Sequence, residues 1–242
     1  DTTNFKGTID TGLLVASGAG TISMGGGDFS GSSISMAGNF TLDSSTSTTG
    51  SITMATVSAG GNVSVTLGGG SGSFALTGAS AMEVGGSFTL DGTRSSGTID
   101  MKNLSVSGAV TMTLEGGDRG AFSAQSINVH NSITITQEAA GSGTTNLQVV
   151  SASGSIAINL GTGTGSGNVT MSSVNTATGF SLIGDQNSDI DIESIDTSAG
   201  LVINNAGEGT IDVSAMDSNS TISITKGVGS GETTNFETIS SI

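Results

Sequence analysis

The chain repeats itself with a period of roughly 22 residues, within the range typical of solenoids and arrays. Residues 7–27 read GTIDTGLLVASGAGTISMGGG, and residues 97–117 read GTIDMKNLSVSGAVTMTLEGG. The two segments match in pattern along their whole length, and weaker copies lie between them. In such architectures each repeat packs mainly on its neighbours. We therefore expect one continuous unit over residues 1–242, as a whole chain or as a segment of a longer one, rather than separate globular domains.

Apolar residues recur at the same positions in each repeat, so the repeats can be aligned in columns. A second apolar column follows five residues after the first, and two more follow a glycine-rich corner. These last two columns enclose a column of mainly Ser and Thr, and apolar–polar–apolar alternation indicates a β-strand with one buried face. The first column is predicted to contain Ile9, Phe29, Ile52, Phe74 or Leu76, Ile99, Phe122, Leu147, Val169, Ile190 and Ile211, with Phe236 opening a further turn. The column after the corner is predicted to contain Gly20, Phe40, Val63, Phe88, Val110, Ile133, Ile156, Phe180, Leu201 and Ile222.

Glycine or asparagine marks the corner between the two strands of each repeat. Asn is the residue other than Gly that most readily adopts a positive φ. The column therefore predicts a left-handed corner that recurs from turn to turn. Its members are Gly18, Gly38, Gly61, Gly86, Gly108, Asn131 and Gly154.

The alignment predicts an all-β fold, a single parallel β-helix (β-solenoid) of about ten turns, with two clear strands and a short third strand in each turn. A right-handed coil is expected because parallel crossovers are overwhelmingly right-handed. The chain has no Pro, as expected where every amide donates to a ladder. An antiparallel sandwich is the structural alternative, but it does not demand columns in register. A disordered Gly/Ser-rich chain is disfavoured because 34% of the residues are hydrophobic and alternate regularly.

The formal net charge of −15 limits the partners of the chain. A nucleic-acid groove needs clustered Lys and Arg, so we expect no binding to nucleic acid, and anionic membrane surfaces are disfavoured for the same reason. No apolar run approaches the ~20 residues of a membrane span, so we do not expect the chain to be embedded in a membrane. The absence of Cys fits a cytoplasmic chain or a bacterial surface protein without disulfides. The first residue is Asp1, which is compatible with removal of an export signal.

Residues that perform catalysis are scarce. His130 is the single His, and alternation places it on the outside, next to the Asn131 corner. Serines are abundant, but nothing marks one of them as a nucleophile beside a base. We therefore expect a protein that is not an enzyme. An enzyme that acts on polysaccharide along the solenoid face is the catalytic alternative, although aromatic residues make up only 3% of the chain.

Acidic residues gather toward the C-terminal end of the chain. In the predicted register Asp191 stacks on Asp212, with Glu237 in the following turn, and Asp196 stacks on Asp217. Like charges one strand apart destabilise a sheet. Calcium binds carboxylate oxygens and would relieve this repulsion, and a solvated acidic face is the alternative. The predicted calcium ligands are Asp185, Asp189, Asp191, Asp196, Asp212 and Asp217.

Two C-terminal segments resemble phrases of bacterial surface-layer (S-layer) proteins. They are GTIDVSAMDSNSTISIT at residues 209–225 and NFETISSI at residues 235–242. The resemblance is to the large, acidic, Ser/Thr/Gly/Ala-rich, calcium-dependent kind, and the composition of the whole chain is similar. It implies a secreted, extracellular structural protein at the cell surface that assembles with copies of itself, by end-to-end contacts, into a layer or sheath. A surface polysaccharide is a further expected partner. The alternative is an adhesin-type β-helical passenger that binds cells or glycans.

Overall fold

A computed structural model describes residues 2–6, 8–46, 50–93, 95–114, 120–137, 143–160, 168–184, 188–205, 207–227 and 234–241. These residues form strands and connections without a helix, and the strands stack as a β-solenoid of about nine turns with about 23 residues per turn. The predicted all-β solenoid is confirmed. The antiparallel sandwich is excluded, because the strand pairings among the described residues are parallel. The right-handed coil stays a prediction.

One of the two sheets, which we name the narrow sheet, consists mostly of strands of four or five residues. Its 11 strands are hydrogen-bonded in the order in which they occur in the chain. They are β1 (Thr2–Lys6), β4 (Gly20–Gly26), β6 (Phe40–Asp43), β8 (Val63–Thr66), β11 (Phe88–Gly92), β13 (Val110–Leu114), β15 (Ile133–Gln137), β17 (Ile156–Asn159), β19 (Phe180–Gly184), β21 (Leu201–Asn205) and β23 (Ile222–Lys226).

The other sheet, which we name the wide sheet, consists mostly of strands of eight residues. Its 13 strands also follow chain order, and in two turns a pair of three-residue strands takes the place of one eight-residue strand. They are β2 (Ile9–Thr11), β3 (Leu14–Ala16), β5 (Phe29–Met36), β7 (Ile52–Ala59), β9 (Phe74–Leu76), β10 (Met82–Val84), β12 (Ile99–Val106), β14 (Phe122–Val129), β16 (Thr145–Ala152), β18 (Val169–Thr176), β20 (Ile190–Thr197), β22 (Ile211–Ser218) and β24 (Thr234–Ser241).

The eight-residue strands from β5 to β22 bend in the middle. Residues one, three, six and eight of each are buried, so residues four and five are consecutive and both face away from the core. In β12 these two are Lys102 and Asn103, between the buried Met101 and Leu104. The bend divides the strand into two segments. This division accounts for the short third strand that the sequence predicts.

The inward-facing side chains form one hydrophobic core between the two sheets. Phe40, Phe88 and Ile133, from the predicted column after the corner, are fully buried. Burying a side chain of this size stabilises the fold by roughly 1.5–3 kcal/mol. A single cluster of packed residues extends from Met24 to Met216. The described turns therefore share one core.

Two kinds of connection alternate along the chain. The short corner leads from a wide-sheet strand to the next narrow-sheet strand and always contains three residues, from residues 17–19 to residues 219–221. The variable loop leads back to the wide sheet and contains from two residues, at 27–28, to nine residues, at 160–168. The spacing between equivalent residues therefore changes from turn to turn, and its mean exceeds the predicted 22 residues only slightly.

The short corners stack directly on one another. Gly61 donates its backbone N–H to the carbonyl oxygen of Gly38 at 3.1 Å, and Gly86 donates to Gly61 at 3.0 Å. A Cβ atom added to Gly61 would overlap the side-chain oxygen of Asn39 and lie 2.9 Å from its backbone nitrogen. Glycine is therefore required here because the backbones of neighbouring turns approach each other closely.

The predicted left-handed conformation of the corner is wrong. Among the described residues, positive φ occurs at Gly26, Gly27, Gly50 and Gly70. None of these residues lies in a short corner. The physical reason is that glycine has two distinct properties, its tolerance of a positive φ and its lack of a Cβ atom, and the short corners at Gly61 and Gly86 require the second.

The prediction that Leu147 belongs to the first column is also wrong. Thr145 occupies that column, opposite Phe122, and Leu147 pairs with Ala124 two positions further on. Thr145 is buried although it is polar. Because the prediction assumes that each strand begins with an apolar residue, it places the start of this strand two residues too far along the chain.

The same displacement affects the last turn. Strand β24 begins at Thr234, and Phe236 is its third residue rather than the start of a turn. As a result, Asn235 pairs with Asp212. The predicted stacking of Glu237 after Asp212 is therefore wrong by two positions.

Candidate functional site

The acidic face lies on the outer side of the wide sheet, in β20 and β22. Asp191 pairs with Asp212, and Asp196 pairs with Asp217, which confirms the predicted register. Asp212 is half-buried, and the other three side chains are exposed. Because neighbouring strands lie ~4.8 Å apart, each pair brings two carboxylates of like charge side by side. The acidic face therefore carries a repulsion that a bound cation would relieve.

Asp189 precedes β20 and links two successive turns. Its Oδ1 atom accepts hydrogen bonds from the backbone N–H and the hydroxyl of Thr210, both at 2.8 Å. Asp28 has a similar role near the other end of the solenoid, where its Oδ1 atom accepts from the backbone N–H of Ser51 at 2.8 Å. Hydrogen bonds between turns therefore account for Asp189 without a metal ion.

Calcium ligation by the predicted residues stays a prediction. Asp185 lies outside the described residues. Within the part of the chain that the structure describes, no group of three or more His, Cys, Asp or Glu side chains is placed to hold a metal ion. Calcium takes roughly six to eight oxygen ligands. An ion at the acidic face would therefore need backbone or water oxygens in addition to the carboxylates of Asp191 and Asp212.

A polar trough crosses the outer side of the wide sheet over three successive strands, β12, β14 and β16. Its floor is formed at the buried positions of Met101 and Ala124, and its volume is about 280 Å³. The hydroxyl of Ser123 donates a hydrogen bond to Oδ1 of Asp100 at 2.8 Å across two strands. Six polar residues line the trough, namely Asp100, Lys102, Ser123, Gln125, Asn146 and Gln148.

This trough is not predicted from the sequence. Its residues are separated by about one turn each and are ordinary surface residues when taken singly. The signal that could have found it is the alignment itself. The fourth residues of three consecutive strands are Lys102, Gln125 and Gln148, all with long polar side chains, whereas the same position of β18 carries Ser172.

Side-chain hydrogen bonds also connect the short corners. Oδ1 of Asn39 accepts from the backbone N–H of Asn62 at 2.9 Å, and Oδ1 of Asn62 accepts from that of Ser87 at 2.8 Å. His130 lies in a short corner and is exposed, as predicted, and its backbone N–H donates to the carbonyl of Val106 at 2.9 Å. These residues hold successive turns together.

Two buried polar atoms lie beside a variable loop. Ser188 and Asn205 have no exposed surface, and Nδ2 of Asn205 donates to the carbonyl oxygen of Ser188 at 2.8 Å. The hydroxyl of Ser188 and Oδ1 of Asn205 have no hydrogen-bond partner. A buried polar atom without a partner is unfavourable. The buried polar atoms of this region are therefore less completely hydrogen-bonded than those of the short corners.

The outer face of the narrow sheet carries many hydroxyl side chains. Thr89, Thr111 and Thr134 occupy equivalent positions of three successive strands and are exposed, as predicted. In a later turn Val202 takes this position, with 41% of its surface exposed. The face therefore presents the same kind of side chain at one-strand intervals over several turns.

No protein-family model, no curated protein and no solved structure matches this chain. In the described part of the chain there is also no helix that is long and apolar enough to cross a membrane.

Proposed function

We propose that the chain is a structural extracellular protein that assembles with copies of itself into a bacterial cell-surface layer or sheath. The observation that carries this proposal is the pair of continuous parallel sheets around one core. Each turn is hydrogen-bonded to the turns on both sides, so the solenoid is a stiff rod whose stability is shared among neighbours. A stiff rod is suited to bearing load in a lattice.

The regular outer faces support the same proposal. The threonines of the narrow sheet recur at the ~4.8 Å strand spacing, so a second copy can meet this face with the same contact repeated many times. Symmetric assemblies are built from such repeated contacts. The resemblance of residues 209–225 to surface-layer proteins is a second support.

Electron microscopy of the purified chain tests the assembly. We expect ordered sheets or filaments that form as the protein concentration rises, and a mass distribution by light scattering that shifts with them. Isolated rods at every concentration and ionic composition would contradict the proposal.

Calcium is the proposed cofactor of the assembly. It would act at the acidic face, where the pairs Asp191–Asp212 and Asp196–Asp217 repel. A ligand that binds only the folded chain stabilises it by about 2.7 kcal/mol at a hundredfold excess over its Kd.

Thermal melts in calcium and in chelator test the cofactor. We expect calcium to raise the Tm of the parent chain and to raise that of the double variant Asp191→Asn with Asp212→Asn much less. Asp10→Asn is the matched control, since Asp10 pairs with Ser30 rather than with another acid. Identical melts of the parent chain in the two buffers would contradict a role for calcium.

A binding module displayed on a rod is the second candidate function. The polar trough favours it, because its six polar side chains converge on one surface of the wide sheet. The two candidate functions can be distinguished experimentally. A binding module binds its ligand as a single rod, whereas a layer protein acts only after assembly.

A further inference from the structure

The polar trough differs in chemistry from the rest of the wide sheet. Most outward positions of this sheet carry Ser, Thr or an acid, whereas the trough brings together a carboxylate, an ammonium group and three amides. Gln125, Asn146 and Gln148 are exposed, so their amide groups are accessible to a ligand. Each amide offers a donor and an acceptor side by side.

We infer that the trough binds a neutral oligosaccharide that lies along the solenoid axis. This inference rests on the second candidate function, the binding module, and is independent of assembly. Two adjacent hydroxyl groups of a sugar ring can pair with the donor and the acceptor of one amide, or both can donate to the oxygens of one carboxylate. The trough provides four such groups, on Asp100, Gln125, Asn146 and Gln148.

The spacing of the strands supports an extended sugar chain. Equivalent side chains of successive turns are ~4.8 Å apart, which is close to the length of one sugar unit in an extended polysaccharide. The hydrogen bond from Ser123 to Asp100 orients the carboxylate. Because the side chains stand on paired strands rather than on loops, the spacing of their Cα atoms is fixed before the ligand arrives.

The charge of the site selects a neutral ligand. Asp100 and Lys102 lie on the same strand and offset each other, while the net charge of −15 repels polyanions. Val149, the residue after Gln148, has 44% of its surface exposed. It offers apolar surface to the C–H face of a sugar ring. An open trough of this kind favours weak binding, with a dissociation constant on the order of 1 mM.

Chemical-shift mapping of the full chain with three probes, cellohexaose, laminarihexaose and maltohexaose, tests this inference. We expect at least one of the three to shift backbone amides confined to residues 100–103, 123–126 and 146–149. The double variant Gln125→Ala with Gln148→Ala should bind that probe at least tenfold more weakly, because two hydrogen-bonding side chains are lost. Asn175→Ala, which removes an exposed amide from β18 outside the trough, should bind like the parent.

Two results would overturn the inference. One is the absence of shifts with all three probes up to their solubility limits. The other is equal affinity of the double variant and the parent, with the amide spectrum showing that the variant is folded. Electron microscopy of the same variant separates the two proposals, since loss of the trough is expected to leave sheets or filaments unchanged.

Discussion

The short corners and the variable loops connect the same two sheets, yet they constrain the chain in opposite ways. Every short corner has three residues and stacks through backbone hydrogen bonds, whereas the loops range from two to nine residues. The stretch from a wide-sheet strand through a short corner to a narrow-sheet strand is therefore a module of fixed length. The fold requires this module to keep its length, whereas the number of residues per turn can change.

The largest expected effect comes from adding residues to the two connections. Inserting Gly-Ser-Gly between His130 and Asn131 breaks the stacking of a short corner and should lower the free energy of unfolding by more than about 4 kcal/mol. The same insertion between Gly207 and Glu208, in a variable loop where Glu208 is exposed, should lower it by less than ~1 kcal/mol, because loop-closure entropy grows slowly with length. Urea unfolding followed by circular dichroism measures both, and equal midpoints would remove the distinction between the connections.

A second prediction concerns the close approach in the short corners. Gly61→Ala places a Cβ atom against Asn39 and should destabilise the chain by about 3 kcal/mol. Gly18→Ala is the matched control, since a Cβ atom there has no neighbour within 4 Å, and it should change stability by less than ~0.5 kcal/mol. If the two variants melt at the same temperature, close approach is not the reason for glycine in this column.

A smaller loss is expected from the side chains that link the short corners. Asn62→Ala removes the acceptor of the Ser87 N–H bond and should cost about 1 kcal/mol. Asn128→Ala, at an exposed position of β14, should stay within ~0.5 kcal/mol of the parent. Thermal melts of the three chains check this, and a larger loss at Asn128 would argue against a structural role of the corner amides.

The smallest effect is expected beside a variable loop. Ser188→Ala removes a buried hydroxyl that has no partner, so it should leave stability unchanged or raise it by up to ~1 kcal/mol. Ser44→Ala removes a hydroxyl that donates to the carbonyl of Thr66 at 2.9 Å and accepts from the N–H of Gly68 at 3.1 Å. It should destabilise by about 1 kcal/mol. A destabilising Ser188→Ala would show that its hydroxyl has a partner in solution.

The sequence predicts best the positions that the short corner fixes. The alignment of Phe40, Val63 and Phe88 is correct because each comes after its corner at a constant distance. The pairing of Asp191 with Asp212 is likewise correct, since both strands begin with an apolar residue. Fold class and most of the register can therefore be predicted from local pattern.

Strands that come after a variable loop are harder to predict. Thr145 and Thr234 begin their strands with a polar residue, and the varying loop length gives no independent anchor for the register. The trough escapes prediction because its side chains come from three turns and only the three-dimensional stack makes them neighbours. The corner conformation is mispredicted because the sequence does not show whether a glycine is needed for a positive φ or for its lack of a Cβ atom.

Disulfide trapping between two turns tests the central claim most directly, because the chain has no Cys of its own. A constant period of 22 residues would place Ser151 opposite Ser173, whereas the fixed module with a nine-residue loop places it opposite Asn175. We predict that the pair Ser151→Cys with Asn175→Cys forms a disulfide rapidly under mild oxidation and that Ser151→Cys with Ser173→Cys does not. Faster trapping of the second pair would contradict the account.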